Sequence, residues 1–483
     1  MNTLSYEQKT SIGLQFILDS LSPCCIYGKE EIKAQKTYDN SERERLDQEL
    51  NQIQGLLEHY DKCSSFIDQI NLFLMEVKEI RGALKRGEAT ALNDIELFEI
   101  KKFLLQMNKL VPVFEELVKV VDLPLLSFSD TSRALDILDP ERKRIPGFYI
   151  SESYSEELKQ IRERKRHLEV VLRQEHGEEK KERLLEDRRN QVVLEDKEEQ
   201  RIRLELTLRL RKHYELILAN IDAAGKLDFL IQKVILAKKY QGVRPEITKD
   251  ELQLTNMGNP EVSDFLKERN KIFTPLSFSM KKGAAVITGA NMGGKSVALR
   301  TIALNIMLAQ MGYFVFAECA KIPLYQYICI TAEEFQSIQN GLSSFGGEII
   351  QLQQAVDHLE TGFGFLMFDE LARGTNPDEG TAIVQAVVKY LNVQNAMTVV
   401  ATHYDHVAEF ANYHYQIYGL KNADLDVLER DIKSAEVSKG IEIIEKYMNY
   451  GIYQVEDEAD CPRDAVHICG LLGLKKEIME LIQ

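Results

Sequence analysis

Residues 289–296 read GANMGGKS, which matches the phosphate-loop pattern G-x-x-x-x-G-K-S/T. The apolar run at residues 284–288 predicts a β-strand directly before this loop. The apolar spacing at residues 297–308 predicts an α-helix directly after it. A glycine-rich loop between a strand and a helix is typical of nucleotide-binding α/β domains, so the stretch predicts that fold for this part of the chain.

The residue types in this loop suit the phosphates of a nucleotide. Gly289, Gly293 and Gly294 permit backbone N–H groups to close around phosphate oxygens. The helix that follows presents its positive dipole end to the same anion. In this pattern Lys295 contacts the β- and γ-phosphates and Ser296 holds Mg²⁺. The sequence therefore predicts binding of ATP or GTP together with Mg²⁺.

The composition is that of an ordinary globular protein with several domains. Its 483 residues, of which 44% are hydrophobic and 28% charged, predict about two to four domains with ample core. No stretch approaches the roughly 18 uncharged apolar residues of a membrane helix, and residues 1–28 lack a secretory signal pattern. We therefore expect a cytoplasmic protein that has no membrane partner.

Charge and cysteine usage restrict the partners further. The net charge of −16 argues against broad non-specific adhesion to nucleic acid, although it leaves room for a local basic surface. The 7 cysteines are odd in number and show no C-x-x-C spacing, which favours reduced thiols over disulfides or a zinc site. No role follows from the pattern for the C-terminal pair, Cys461 and Cys469.

Changes in the periodicity of apolar residues and in the density of charged residues divide the chain into three parts. Residues 1–150 carry successive helical patterns and predict a helical core domain, with a short strand expected at residues 148–150. Residues 151–240 predict a long antiparallel helical arm, or lever, with a turn within residues 177–196. The interleaved, nearly balanced charges of this arm favour a solvated face over a DNA-binding stripe. Residues 241–483 alternate strands and helices and predict the α/β domain.

Two acidic residues end a second apolar run in the α/β domain. Residues 365–370 read FLMFDE, which is typical of a buried parallel strand whose carboxyl end reaches the ligand crevice. Asp369 suits the Mg²⁺ shell, and Glu370 suits activation of the attacking water. One strand later, residues 398–403 read TVVATH, and His403 can contact the γ-phosphate or that water.

Two polar loops complete the set of candidate segments. Residues 342–349, LSSFGGEI, open a helix, and the hydroxyl and N–H groups of Ser343 and Ser344 can reach a phosphate. Residues 372–380, ARGTNPDEG, have the glycine, proline and asparagine content of a rigid exposed loop. Loops of this kind often carry function.

The order of these motifs resembles the ATPase domain of the MutS family, which is related to the ABC ATPases. The matching segments are GANMGGKS, AQMGYFV, LSSFGGEI, FLMFDELARGTNPDEG and ATH. The similarity extends to the VRPEI segment and the helical lever before the domain, and to AVHICGLL at residues 465–472. It implies a multidomain protein with an all-α core, a lever with a long antiparallel helical arm, and then an α/β P-loop ATPase domain of ABC type with C-terminal dimerisation elements.

The same resemblance implies an ATP hydrolase that acts as a homodimer with composite sites, using ATP and Mg²⁺. The loop and strand-end residues of one subunit would face Ser343 and Ser344 of the other, so that ATP closes a clamp and hydrolysis reopens it. The resemblance also implies adenine as the base, with Phe273 as a candidate stacking residue. The candidate residues are Glu370 and His403 for catalysis, Ser296 and Asp369 for the metal, and Gly289, Ala290, Asn291, Met292, Gly293, Gly294, Lys295, Ser296, Ser343 and Ser344 for the nucleotide.

Departures from the family pattern leave the target of the clamp open. The chain starts directly in the helical core, so no mismatch-reading or connector domain is expected, and Ala290, Val297 and Phe316 depart from the family's motifs. One hypothesis is a DNA-binding ATPase of the mismatch-repair family, whose arm grips DNA by phosphate contacts. The alternative is an ATP-dependent reactivating factor for an adenosylcobalamin-dependent lysine or ornithine aminomutase, acting with a reactivation subunit. Residues 144–165 and the short layout resemble proteins of that kind.

Overall fold

The protein combines a helical region with an α/β region, which confirms that part of the predicted fold. The computed structural model describes residues 4–289, 293–331, 344–360, 362–434, 440–456, 469, 475–479 and 481. In this part of the chain, no helix is both long and apolar enough to cross a membrane.

The chain forms two compact units. The helical unit contains Ser22–Ala34 and Gln54–Val234, and the sheet unit contains Met1–Leu21, Gln35–Ile53 and Ile235–Gln483. The first part of the chain therefore contributes to both units, whereas the sequence analysis assigned it to one helical domain. The two compact units do not test the predicted domain boundaries at residues 150 and 240, which stay a prediction.

The α-helices and β-strands are numbered in chain order. The helices are α1 (Tyr6–Ser11), α2 (Leu14–Ser20), α3 (Ile26–Ala34), α4 (Arg43–Glu58), α5 (Tyr60–Met75), α6 (Arg81–Ala89), α7 (Asp94–Val118), α8 (Ser132–Leu138), α9 (Glu156–Gln174), α10 (Glu178–Arg211), α11 (Tyr214–Lys239), α12 (Pro260–Glu268), α13 (Lys295–Gln310), α14 (Ser344–Leu359), α15 (Pro377–Leu391), α16 (Leu425–Ser434), α17 (Gly440–Tyr447) and α18 (Lys476–Met479). The strands are β1 (Glu246–Thr248), β2 (Glu251–Met257), β3 (Leu276–Lys281), β4 (Gly283–Thr288), β5 (Cys319–Pro323), β6 (Tyr327–Thr331), β7 (Gly364–Asp369), β8 (Ala396–Ala401), β9 (Tyr413–Gly419) and β10 (Asn449–Gln454).

A six-stranded sheet organises the sheet unit. Its strand order is β10-β9-β4-β8-β7-β6, and every neighbouring pair is parallel except β10 with β9. Each residue of β4, β7 and β8 is buried, as expected for parallel strands that are covered on both faces. Helices α14 and α15 share a core with alternate residues of these strands. A second sheet has the order β1-β5-β2-β3.

Helix α7 of the helical unit begins at a side-chain cap. The side chain of Asn93 accepts the N–H of Glu96, and Glu96 accepts the N–H of Asn93, which forms a reciprocal cap for α7. Apolar residues then recur along one face of α7 and are buried, among them Ile100, Leu104 and Met107. Capping and this apolar face together explain a helix of 25 residues.

The arm is a pair of antiparallel helices, α9 and α10. Arg162 of α9 pairs with Glu195 and Glu199 of α10, and Arg188 of α10 pairs with Glu169 of α9. The turn between the helices lies at residues 175–177, at the start of the predicted range, and the rest of that range is helical. The sequence predicted two long helices up to residue 239. Three helices are present there, because a short break at residues 212–213 separates α10 from α11.

The loop before the arm does not contain the predicted strand at residues 148–150, so that prediction is wrong. A buried ion pair holds this loop instead. The ammonium of Lys101 lies 3.2 Å from the carboxylate of Asp139 and donates to the carbonyl of Gly147 at 2.9 Å. The side chains of Lys101 and Asp139 are only 7% and 4% exposed. Burial alone would raise the pKa of Asp139, but hydrogen bonds from the Arg144 N–H and from Lys101 outweigh it, so this pKa lies below its ordinary value.

Replacing Lys101 by methionine should destabilise the protein strongly at neutral pH. The change leaves the Asp139 carboxylate buried with less compensation, which costs about 3–5 kcal/mol. The ion pair stabilises the fold above the pKa of an unfolded aspartate, and that contribution is lost as the pH falls through the lowered folded pKa. We expect the difference in free energy of unfolding from wild type, measured by urea denaturation, to stay nearly constant between about pH 7 and about pH 5 and to shrink as the pH falls below about 4.

Lys119→Met is the matched control, because Lys119 pairs with Glu116 on an exposed face of α7 and the following turn, where the two side chains are 67% and 55% exposed. Its effect should stay below about 1 kcal/mol at any pH. Equal losses in both variants would contradict a special role for the buried pair.

Candidate functional site

The predicted site residues come together at one edge of the six-stranded sheet. Strands β4, β8 and β7 are parallel neighbours, and Ala401 of β8 lies opposite both Ile287 of β4 and Asp369 of β7. The loops that follow these strands therefore start side by side, as the carboxyl ends of parallel strands do. They carry the glycine-rich loop, the acidic pair and His403.

The described glycines at the two ends of the glycine-rich loop both have positive φ angles. Gly289 and Gly294 have φ angles of 147° and 97°, which other residues rarely adopt. A Cβ atom at Gly294 would also lie 3.2 Å from the ring of Tyr450. Gly294 is the N-cap of α13 and has no side-chain acceptor, so the first N–H groups of this helix point at a position that an anion can occupy.

Some predicted nucleotide-binding residues lie outside the described part of the chain. These are Ala290, Asn291 and Met292 of the loop and Ser343. Ser344 begins α14, but only its backbone is described. Gly293 is buried in the loop, and Ser296 lies in the first turn of α13.

The side chain of Lys295 lies deep in the site, with 4% of it exposed. Its ammonium donates to the carbonyl oxygen of Gly289 at 2.8 Å. The same Nζ lies 3.7 Å from Oε1 of Glu370. Lys295 therefore connects the glycine-rich loop to the end of β7.

Asp369 is a buried carboxylate with an unused oxygen. One oxygen is hydrogen-bonded with Ser296, whereas Oδ1 has no hydrogen-bond partner in the described part of the chain. The pKa of Asp369 is raised, first by burial and also by the neighbouring charge of Glu370. A buried carboxylate oxygen next to a serine hydroxyl is a donor set that Mg²⁺ prefers, so these residues fit the predicted metal ion.

Glu370 is held by three basic side chains. Its oxygens lie 3.6 Å from Nδ1 of His403, 3.7 Å from Lys295 and 3.2 Å from Arg373. The interaction with the nearby His403 ring is the main cause that lowers the pKa of Glu370, and the charge of Lys295 adds to it against the effect of burial. Glu370 is therefore an ionised hydrogen-bond acceptor at neutral pH.

A cavity of about 860 Å³ opens beside these groups. Basic side chains predominate among its charged lining residues, which are Arg269, Lys271, Lys295, Glu370, Arg373, Glu445 and Lys446. The cavity also has an apolar part with Val262, Phe265, Leu266, Ile272, Phe273 and Met448. Basic and apolar side chains around one cavity suit the phosphates and the base of a nucleotide.

Comparison with known proteins agrees with this geometry. The sequence pattern of MutS domain V matches residues 285–470, which include the glycine-rich loop, the acidic pair and His403. Residues 285–470 are therefore similar to MutS domain V.

Known MutS and MutS2 proteins are similar to part of the chain. An Endonuclease MutS2 of Shouchella clausii is 30% identical over 234 residues, which are 48% of this chain and 29% of that protein. A DNA mismatch repair protein MutS of Streptococcus mutans is 27% identical over 297 residues, or 59% of this chain and 32% of that protein. A MutS of Leuconostoc mesenteroides is 28% identical and matches 64% of this chain and 36% of that protein. The chain thus spans about a third of the length of the relatives that it matches.

The region similar to MutS domain V contains positioning contacts that no sequence pattern predicted. Ala372 has a φ of 63°, donates its N–H to Glu348 at 2.8 Å and accepts the hydroxyl of Tyr404 at 3.0 Å. Glu348 and Arg373 lie in two of the quoted motifs, but the spacing of these residues in the sequence did not predict their contacts with Ala372 and Glu370. Gly380 was also part of a quoted motif, and a Cβ there would overlap the Tyr404 hydroxyl.

Tyr404→Phe should destabilise the protein by about 1–3 kcal/mol, because it leaves the buried carbonyl of Ala372 without its donor. The measurement is chemical denaturation followed by circular dichroism. Tyr390→Phe on α15 is the control, since the Tyr390 side chain is 50% exposed and its loss of a hydroxyl should change stability by less than about 0.5 kcal/mol. Equal stability of the two variants would mean that the Tyr404 contact does not hold the loop.

Proposed function

We propose that this chain binds ATP in the cavity beside the glycine-rich loop and hydrolyses it with Mg²⁺. The observation that carries the proposal is the pair Asp369 and Glu370 at the end of β7. One carboxylate is buried with an unused oxygen beside Ser296, and the other is held by basic side chains beside Lys295. The two neighbours therefore suit two roles, metal binding and water activation.

The phosphates would lie at the start of α13. The N–H groups of the glycine-rich loop, together with Lys295, would neutralise the β- and γ-phosphates. Ser296 and Asp369 would hold Mg²⁺, which neutralises charge on the phosphate oxygens. The base would occupy the apolar part of the cavity, where Phe273 is the proposed stacking residue.

Glu370 would accept a hydrogen bond from the attacking water. In the structure its Oε1 lies near both Lys295 and His403. When Lys295 turns to a phosphate, Oε1 loses one of these two basic neighbours and can accept the water. His403 then keeps the carboxylate in place and lies near the position of the γ-phosphate.

We further propose that two copies of the chain close over ATP. Ser343 and Ser344 of one copy would contact the phosphates bound by the other, as the resemblance to the MutS family implies. ATP would thus act as a clamp between protomers, and hydrolysis would release it.

DNA is the proposed target of the clamp. The support is that the relatives are named as DNA mismatch repair proteins and as an endonuclease. Exposed basic residues near the end of the arm, such as Lys180 and Lys181, could contact phosphates without disturbing the ion pairs between α9 and α10.

One observation favours the second candidate, reactivation of a cobalamin-dependent aminomutase. Residues 156–211, which form the arm, carry 16 lysines and arginines against 15 acidic residues. Many of these charges already pair within the arm. A surface whose charges are balanced and paired with one another suits a protein partner better than the phosphate backbone of DNA.

Glu370→Gln should bind ATP normally but hydrolyse it about a hundredfold to ten-thousandfold more slowly, because the amide cannot take the proton of the water. It should also accumulate a dimer with ATP, detected by sedimentation velocity.

Lys295→Ala should instead weaken ATP binding, measured by calorimetry. Lys282→Ala, at an exposed position just before β4, is the control and should change neither quantity. Undiminished hydrolysis by Glu370→Gln would exclude the proposed role of this carboxylate.

If the arm grips DNA, the logarithm of the binding constant should fall linearly with the logarithm of the salt concentration. Replacing Lys180 and Lys181 by alanine should reduce that slope by up to about two. The same change at Lys62 and Lys119 of the helical unit is the control. The second candidate would be favoured if the chain does not bind DNA, if DNA does not change the ATPase rate, and if an aminomutase stimulates ATP hydrolysis.

A further inference from the structure

The connection between β9 and β10 is far longer than a hairpin needs. The two strands are antiparallel neighbours, and such strands are commonly joined by roughly two to five residues. Here residues 420–448 separate them and include α16 and α17. An insertion of this size between paired strands calls for a function of its own.

The described part of this connection has its own small core. Leu420, Leu428 and Ile444 are buried against one another, and the Tyr447 hydroxyl of α17 donates to Asp431 of α16. The end of α17 is therefore held in a defined position, and it continues directly into β10.

That position is on the nucleotide cavity. Glu445, Lys446, Met448 and Tyr450 line it together with Gly294 of the glycine-rich loop, and we call these four residues the α17 wall. The ring of Tyr450 lies against Gly294, so the wall begins where the phosphates would bind. Met448 reaches the apolar part of the cavity.

One ion pair joins the α17 wall to the other side of the cavity. The ammonium of Lys271 lies 2.5 Å from the carboxylate of Glu445. Lys271 belongs to the loop after α12, which also carries Ile272 and Phe273 of the apolar part. The two side chains are 44% and 36% exposed, so the pair lies at the rim of the cavity and not in its interior.

We propose that the α17 wall is part of the nucleotide-binding site and that the Lys271–Glu445 pair holds it against the α12 loop, so that this pair sets how fast nucleotide leaves. The inference rests on the proposed function, because it takes the cavity as the ATP site. A partly exposed pair between two segments has a modest energy, and its loss should change a rate severalfold without abolishing binding.

Charge reversal distinguishes this proposal from the alternative that Lys271 and Glu445 act only as separate charges on the bound nucleotide. If the pair holds the wall, Lys271→Glu and Glu445→Lys should each speed release of a fluorescent ATP analogue from the full chain by about twofold to fivefold. The double reversal should restore the wild-type rate. If the two groups act only as separate charges on the polyanion, Lys271→Glu should speed release and Glu445→Lys should slow it.

Stopped-flow fluorescence with Mg²⁺ present gives the release rates. Removing both charges with Lys271→Met and Glu445→Gln keeps the net charge and should speed release as each reversal does. Reversal of the Asp264 and Lys267 pair on α12, which does not line the cavity, is the control and should leave the rate unchanged. Opposite effects of the two single reversals, or no effect of any variant, would overturn the role of the wall. Failure of the wild-type chain to bind the analogue would instead overturn the proposed function.

Discussion

Parallel hydrogen bonding among β4, β8 and β7 decides which residues can meet in the site. Once Ala401 is paired with Ile287 on one side and Asp369 on the other, three separate segments must end at the same edge of the sheet. A slip of one residue in either pairing would turn each side chain to the opposite face. The glycine-rich loop, the acidic pair and His403 depend on this register, because each begins within two residues of its strand's end.

The segment after β7 is held in a conformation that its residues do not favour. Glu370 and Ala372 both have positive φ angles, at 52° and 63°, and each such residue costs roughly 1–2 kcal/mol. Hydrogen bonds from the Glu370 N–H to Ala401, and at Ala372 with Glu348 and Tyr404, oppose this cost. The carboxylate of Glu370 therefore has a fixed direction before any nucleotide arrives, which is what preorganised catalytic groups require.

Local patterns carried most of what could be predicted. The glycine-rich loop and the strand ending in Asp369 are contiguous in sequence, so periodicity and turn chemistry were sufficient to find them. The contacts of Glu348, Tyr404 and Arg373 depend on positive φ angles and on residues far apart in the chain, which no local pattern reports. The strand expected at residues 148–150 was wrong for a related reason. Its aromatic and β-branched residues suit a strand, but the Gly147 carbonyl is hydrogen-bonded by Lys101 and the segment does not join a sheet.

The hydrogen bond from Lys295 to the Gly289 carbonyl makes the loop a competitor for its own lysine. Any phosphate that recruits this ammonium must replace both that carbonyl and the nearby Glu370 carboxylate. In the proposed complex with ATP, contacts with the phosphates would have to offset the free energy that this exchange costs. Each further phosphate would add negative charge near the ammonium, so the internal bond would favour ligands with more phosphates over ligands with fewer.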